Sequence, residues 1–359
     1  MIMNALTEEK IKSARNIAVF GAQAAAYGVF CAVNDIYGKC PACYIVSKQQ
    51  GNPNQIDGVN VLTIEQALCY RNYLIIVAAP AQYHEEISSI LDRAQFDNIC
   101  VLDPASEYDI MRMFFRRKTG LRGIKDFPIS QVQRIDIDVC MAKSNFDRPL
   151  KEQYRFAEYI APVHAGAALS NKRIADRSDD TGKNISIKNR NYSELTVTYW
   201  VWKNSVSAYK GICHYRRFLN LDADALRRVP NVDVVLPLPF WCYPDASSQY
   251  ERYINTEDFD VMMRVLRETN VDYYESALLS FKGSTIYNYN MLIAKRAVFD
   301  SYCTFLFGIL EKVETHYENI GRKRDDRYLG YIGELLTSIY FNANASNLKI
   351  AHAPREWLV

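Results

Sequence analysis

Between Asp179 and Phe218 the chain mixes charged and amide side chains with large aromatics at a density that does not build a dry core. Asp179, Asp180, Asn184, Lys188, Asn189, Glu194, Lys203, His214, Arg216 and Arg217 stand among Tyr192, Tyr199, Trp200, Trp202 and Tyr215. Flat surfaces for stacking beside directed donors and acceptors suit a pocket for a polar ring and a diphosphate. Arg216 and Arg217 follow a strand-like run, Ala208–Cys213, and could bind phosphate oxygens bidentately with His214 as a further donor. Their plainer role is pairing with surface carboxylates.

The other candidates divide by local pattern. Asp179–Ser186 reads as a loop, because Gly182 and the Asp/Asn/Thr density favour turns. From that loop Asp180 and Asn184 are candidates for sugar or ribose hydroxyls, with Asp180 also a candidate catalytic carboxylate and Asp179 a substrate ligand. Lys188 could approach phosphate, with Asn189 beside it. Asn191 and Glu194 have capping-box spacing, so Glu194 is either a helix cap or a ligand. Tyr192, Leu195, Tyr199 and Trp202 share one helical face and read as core, whereas Trp200 and Lys203 point elsewhere and are pocket candidates. Asp222 and Asp224 form a literal D-x-D, which chance supplies easily in a chain with 41 acidic residues. Asp224 reads as a helix-start residue.

The elements that must position these groups fall into two patterns. Residues 16–104 alternate short apolar runs (16–20, 42–47, 59–63, 73–79, 98–102) with helical stretches, which implies a parallel, doubly wound sheet. Its first turn, Gly21 to Gly28, is a degraded dinucleotide fingerprint. Gln23 stands where a second glycine is needed, and the second strand, Tyr44–Ser47, ends without an acidic ribose ligand. No nicotinamide cofactor is expected. Residues 105–130 read as a linker whose basic run, Met111 to Lys118 with Phe114 and Phe115, could lie on anionic lipid headgroups or be a solvated interdomain helix. From Arg134 a second α/β pattern begins. Strands are expected at 135–140, 234–238 and 290–294, and helices at 192–203, 257–269, 297–317 and 328–342.

Three unusual stretches, Asp179-Asp-Thr-Gly-Lys-Asn-Ile-Ser-Ile-Lys-Asn189, Glu194-Leu-Thr-Val-Thr-Tyr-Trp-Val-Trp-Lys-Asn204 and Gly211-Ile-Cys-His-Tyr-Arg-Arg217, occur in order. They resemble a family of bacterial capsular and exopolysaccharide glycosyltransferases long catalogued as a domain of unknown function, over about residues 132–345. The resemblance implies an α/β, GT-A-like nucleotide-sugar transferase domain preceded by a small Rossmann-like domain: 1–110 Rossmann-like, 111–131 basic linker, 132–359 transferase. It implies transfer from a nucleotide diphosphate sugar, UDP-linked and with galactofuranose or another hexose among the options, to a lipid-linked saccharide acceptor in capsule, exopolysaccharide or O-antigen synthesis. Enzymes of GT-A type place a D-x-D motif at a strand end to hold a divalent metal on the diphosphate. If His214–Arg217 takes that place, the charge logic is inverted and no metal is required, with Mn2+ or Mg2+ as the alternative. The helix 328–336 resembles the family's late G-(aromatic)-x-x-E-(R)-L block, which makes Glu334 the candidate base; Leu335 stands where arginine is common. Asp325, Asp326 and Arg327 are alternatives. Lys183 departs from the family's usual acidic residue and should face solvent. Rival readings are a non-catalytic scaffold of a polysaccharide-assembly complex, and a nucleotide-dependent oxidoreductase or epimerase using the N-terminal domain.

Bulk composition sets outer limits. The 359 residues are 49% hydrophobic and 23% charged, which is ordinary for two globular domains. A net charge of +2 argues against a general nucleic-acid binder. Nine scattered cysteines suit reduced, buried thiols, and Cys40-Pro-Ala-Cys43 lacks the second pair a structural zinc site needs. The N-terminal segment has no apolar h-region and the longest apolar run, 73–81, is too short to span a bilayer. The expectation is a cytoplasmic protein, at most peripheral to the inner face of the cell membrane.

Overall fold

The structure is a computed structural model and describes residues 5–131, 134–150 and 153–358. Two compact units are present, Met1–Leu121 with Phe240–Asp245, and Arg122–Pro239 with Ala246–Val359. The expected junction at 131–132 falls partly outside the described residues.

In the first unit, five strands pair in parallel in the order Val59–Thr63, Tyr44–Val46, Ile17–Phe20, Leu74–Val77, Ile99–Val101, with Gln55–Ile56 added antiparallel at one edge. The apolar runs read from sequence are these strands. One sheet face packs Ala18, Phe20, Ile45, Ile75 and Val77 against Ile87 and Leu91 of the helix His84–Arg93. The helix Ala24–Tyr37 follows the first strand, and Gly28 within it brings the backbone close to Met111 and Trp241: a Cβ there would stand 3.0 Å from the Met111 Cε. The last glycine of the degraded fingerprint thus serves close packing.

The stretch expected as a linker is instead the helix Pro104–Thr119, capped by Asp103, whose side chain accepts from the Ser106 N–H. Phe114 and Phe115 are buried, and Arg117 and Lys118 pair with Asp35. Of the two readings left open for this stretch, the helix is the one found, and the two rings offered as a lipid contact are core residues, because the helix turns its apolar face inward and its last basic turn onto a carboxylate. No described helix is long and apolar enough to cross a membrane.

The second unit is built on a nine-stranded mixed sheet among the described residues. Its central strand, Tyr209–His214, lies parallel to Ile137–Lys143 and antiparallel to Leu292–Lys295. Ile137–Lys143 is in turn parallel to Ile160–His164, which is parallel to the short Arg177–Ser178. Register aligns Ala142 with His214, Lys143 with His164, and His164 with Ser178. The carboxyl ends of four parallel strands therefore share one edge, where open α/β sheets bind ligands. The helices Leu195–Asn204 and Arg296–Asn319 meet through rings: Tyr199 packs edge-on to Phe307 and Trp202 stacks on it at 5.7 Å.

A single buried carboxylate ties the segments at that edge together. Asp179 is 0% exposed and accepts from the Gly166 N–H at 2.8 Å, the Ala167 N–H at 3.0 Å, and the hydroxyls of Ser186 and Thr196. The loop after it is locked by a second contact. Gly182 has φ +55° and a Cβ there would stand 2.2 Å from Asn204 Oδ1, so only glycine admits the Asn204 side chain. Asn204 then accepts from the Lys183 N–H and donates to the Lys183 carbonyl. Replacing Asp179 by alanine leaves buried donors without an acceptor. Asp179→Ala should lower unfolding free energy by about 3 kcal/mol or more, since hydrogen bonds to a charged group contribute about 1.5–3 kcal/mol each and are not additive. Urea denaturation checks this, and a loss under about 1 kcal/mol would deny Asp179 its structural role.

Candidate functional site

At the strand-end edge of the second unit lies a cavity of about 520 Å³. The segment Ala142–Asp147 forms one wall and Gly166, Leu169 and Ser170 a second. His214–Arg217 and the pair Glu194 and Arg327 complete it. Lys143, Arg190, Arg216, Arg217 and Arg327 face it against only Asp147 and Glu194, so the lining is net cationic.

The two strand-end arginines are its defining charges. Among the described residues, neither Arg216 nor Arg217 has a carboxylate within ion-pairing distance. Arg216 donates to the Arg148 carbonyl at 3.3 Å and lies over the Tyr215 ring. Arg217 lies in the corner made by the rings of Tyr289 and Trp357, at 4.4 and 4.2 Å from their centres. The Nε atoms of both are buried without a hydrogen-bond partner, as are Asn145 Oδ1 and His164 Nδ1. Four of the unpartnered buried polar atoms thus belong to residues of one cavity, which makes it the candidate ligand site. Pairing of the arginines with surface carboxylates is excluded: the side chains are fixed by rings and leave their charge to the cavity.

A second group of titratable residues gathers around a strained turn. Tyr289 and Asn290 have φ of 80° and 47°, and Ser193 and Arg327 have φ of 50° and 62°. Such values cost non-glycine residues energy and collect where a site needs particular geometry. The Tyr289 carbonyl accepts from His214 Nε2 at 2.5 Å, which assigns the ring proton to Nε2 and leaves Nδ1 as acceptor. Burial holds the His214 pKa below its ordinary value. Asn290 Nδ2 donates to Glu194 Oε1 at 2.8 Å, and Arg327 stands 3.7 Å from Glu194 Oε2. Glu334 accepts from the Tyr289 N–H and its carboxyl is pushed up to about 8, first by burial and then by the neighbouring Glu194 charge, against the pull of Arg217 and Arg327. Glu334 does not itself line the cavity, but it is coupled to three side chains that do.

The structure brings together His214, Arg216, Arg217, Glu194, Asn189 and the alternative candidate Arg327, and sends most of the remaining candidates elsewhere. Asp179 is saturated by protein donors and cannot serve a substrate. Asp180 bonds Ser178 and pairs with Arg173, so it is not available as a catalytic carboxylate. Asn184 closes its own loop, donating to the Gly182 carbonyl and accepting from the Ser186 N–H. Lys188 is bound to Glu314 at 2.7 Å, which also accepts from Tyr192. Trp200 donates its indole N–H to the Thr181 carbonyl, and exposed Lys203 covers the Trp202 ring. Asn189 lines the cavity, but its amide donates to the Ser193 carbonyl and the Thr196 hydroxyl. No capping box forms at Asn191 and Glu194, because the left-handed Ser193 breaks the expected helix into Asn189–Tyr192 and Leu195–Asn204. Of the literal D-x-D, Asp222 rather than Asp224 caps the helix Ala223–Arg227, and Asp224 pairs with Arg227. Among the described residues, no group of three or more His, Cys, Asp or Glu is arranged to hold a metal ion.

Sequence reasoning missed the wall made by Lys143–Asp147, His164 and Ser170. Its signal was weak: short polar residues directly after two strand-like runs, visible only once the strands are known to be parallel neighbours.

This chain belongs to the family described as a domain of unknown function, DUF4422, whose model matches residues 150–345. It is also similar to a solved structure titled as the apo structure of the bifunctional glycosyltransferase WbbM. Identity is 26% and the TM-score 0.54, with 62% of this chain and 45% of that one covered. The likeness therefore spans less than half of that protein. No curated protein matches the chain.

The Glu334 carboxyl has a folded pKa above its unfolded value, so its contribution is fully present below about pH 4.5 and is lost as pH rises through about 8. The unfolding midpoint should therefore fall across that window, and Glu334→Gln should flatten the fall. Thermal denaturation at a series of pH values checks it; identical pH dependence in both proteins would contradict the burial assigned to Glu334.

Proposed function

We propose that this chain is a glycosyltransferase that takes a nucleotide diphosphate sugar into the cationic cavity and transfers the sugar to a saccharide hydroxyl. The observation that carries the reading is the pair of carboxylate-free guanidiniums at the end of the central parallel strand. Transfer makes the diphosphate a leaving group, and its growing charge needs neutralising inside a site of reduced dielectric. For two unit charges at about 4 Å the Coulomb attraction is about 4 kcal/mol at an effective dielectric near 20. Arg216 and Arg217 supply such charges ready-oriented, and no side chain has to reorganise as the bond breaks. The similarity to a bifunctional glycosyltransferase supports the same class of chemistry.

In this reading the domain is of GT-A type, His214 contributes a neutral imidazole, and Glu334, set behind the lining residues Glu194, Arg217 and Arg327, takes the proton of the attacking hydroxyl through one bridging water. A base with a pKa of about 8 is near the best compromise between being ionised and being basic at neutral pH. Glu194, held by Asn290 and Arg327, keeps the Glu334 pKa high by its own charge. The donor we favour is UDP-linked, and the acceptor a lipid-linked oligosaccharide of capsule, exopolysaccharide or O-antigen synthesis. The first unit serves positioning or assembly, not redox chemistry. Its turn carries Gln23 in place of the glycine that would let a pyrophosphate approach.

Incubation with a panel of nucleotide sugars and saccharide acceptors, read as released nucleotide, tests the reading. A UDP-sugar should be turned over, and turnover should survive exhaustive chelation because guanidiniums neutralise the diphosphate. Release from no donor would contradict the assignment. Activity lost to chelator and restored only by Mn2+ or Mg2+ would contradict the arginine-only clamp.

A further inference from the structure

The helix that carries Glu334 begins from a charged loop. Residues 320–327, Ile-Gly-Arg-Lys-Arg-Asp-Asp-Arg, join the helices Arg296–Asn319 and Tyr328–Ala343, and the loop ends on Arg327 at the cavity. Its one apolar side chain, Ile320, is 53% exposed, so apolar burial holds little of the loop in place. From Glu318 to Arg327 only Arg324 is drawn in from solvent. Its two terminal nitrogens grip the carboxylate of Asp258, on the helix Thr256–Thr269, with Nη2 at 3.0 Å from Oδ2. Asp258 is 4% exposed and also accepts from the Tyr317 hydroxyl at 2.5 Å. Arg324 lies over the rings of Tyr328 and Tyr317, at 3.9 and 4.8 Å. It further donates to Asp326, the residue before Arg327, from Nη2 at 2.6 Å and Nε at 3.1 Å. Arg322 on the same loop meets Glu257 in solvent, where an ion pair contributes little. One buried guanidinium fork therefore ties the loop to three helices.

What the loop delivers is Arg327. Its left-handed backbone is unfavourable for arginine and is held by the Arg327 N–H, which donates to the Arg190 carbonyl at 3.1 Å, and by Nε, which donates to Ser193 Oγ at 2.8 Å. Nη2 stops 3.7 Å from Glu194 Oε2, beyond hydrogen-bond distance, which leaves that nitrogen able to donate to an incoming anion. Resting on the anion-binding cavity of the glycosyltransferase reading, we propose that Arg324 is a positioning residue: with Asp258 it fixes the loop that presents Arg327 to the cavity, and it acts on the site through Arg327 alone. Neither Arg324 nor Asp258 lines the cavity, whereas Arg327 faces it together with Arg216 and Arg217. A long, half-exposed side chain such as Arg327 has many rotamers, so fixing where its backbone starts decides how often its guanidinium meets the ligand.

The test is a double-mutant cycle on the binding of inorganic pyrophosphate and UDP to the full chain, measured by calorimetry. Arg327→Met should weaken pyrophosphate by about tenfold, the scale of one charge-assisted hydrogen bond. Arg324→Lys keeps the charge but loses the fork and the ring contacts, and should weaken pyrophosphate by about threefold or more in the parent chain. Once residue 327 carries the Arg327→Met change, Arg324→Lys should cost nothing further. UDP should follow pyrophosphate in every variant. Should Arg324→Lys fail to fold, Arg324→Met combined with Asp258→Asn removes both buried charges, keeps the net charge of the chain, and should give the same pattern. An equal loss from Arg324→Lys in both backgrounds would assign Arg324 a general structural role and overturn the proposal. Parental affinity in Arg324→Lys, or in Arg327→Met, would overturn it too. If neither pyrophosphate nor UDP binds the parent chain, the diphosphate clamp is wrong and this inference falls with it, a result distinct from a cycle that is merely additive.

Discussion

Two guanidinium groups without a carboxylate partner, fixed at the end of a buried strand, set the requirement that the rest of the second unit meets. Unpaired charge there is costly unless a ligand anion completes it. Two rings that meet edge-to-face, Tyr289 and Trp357, hold Arg217. The carboxylates of Glu194 and Glu334 are tied to the Tyr289–Asn290 turn and to Arg327, at backbone angles that only a surrounding framework sustains. The site thus keeps opposite charges close without letting them cancel.

What holds the framework is the Asp179 carboxylate. Through Gly166 and Ala167 it fixes one cavity wall, and through Ser186 and Thr196 it fixes the loop and helix behind that wall. Gly182, Asn204, Thr181 and Trp200 then lock the same loop to the same helix. Much of the most distinctive sequence in the chain is therefore a folding device. Its polar residues meet one another in the interior and hold the cavity walls in place.

That division explains what could be read in advance. Strand–helix alternation in the first unit and most elements of the second were legible, because β-branched runs and amphipathic periods are local properties. That Arg216 and Arg217 stand at a strand end was legible because the cation pair directly follows an apolar run. Asp180, Asn184, Lys188 and Trp200 were misassigned because residue type alone does not say whether a polar group finds a protein partner. Lys188 finds Glu314, 126 residues away, and no local pattern reveals that pairing. The linker became a helix for a related reason. Phe114 and Phe115 among basic residues look interfacial until Asp35 supplies the counter-charge. The break at Ser193 also escaped, since its left-handed backbone is imposed by tertiary contacts and not by its own preference.

The central claim is that the cavity binds a diphosphate through the strand-end arginines, and the affinity of UDP for Arg216→Ala tests it most directly. One charge-assisted hydrogen bond contributes about 1.5–3 kcal/mol, so the dissociation constant measured by calorimetry should rise by about tenfold or more in a variant that unfolds at the parental temperature. Parental UDP affinity in that folded variant would remove Arg216 from the site and contradict the account.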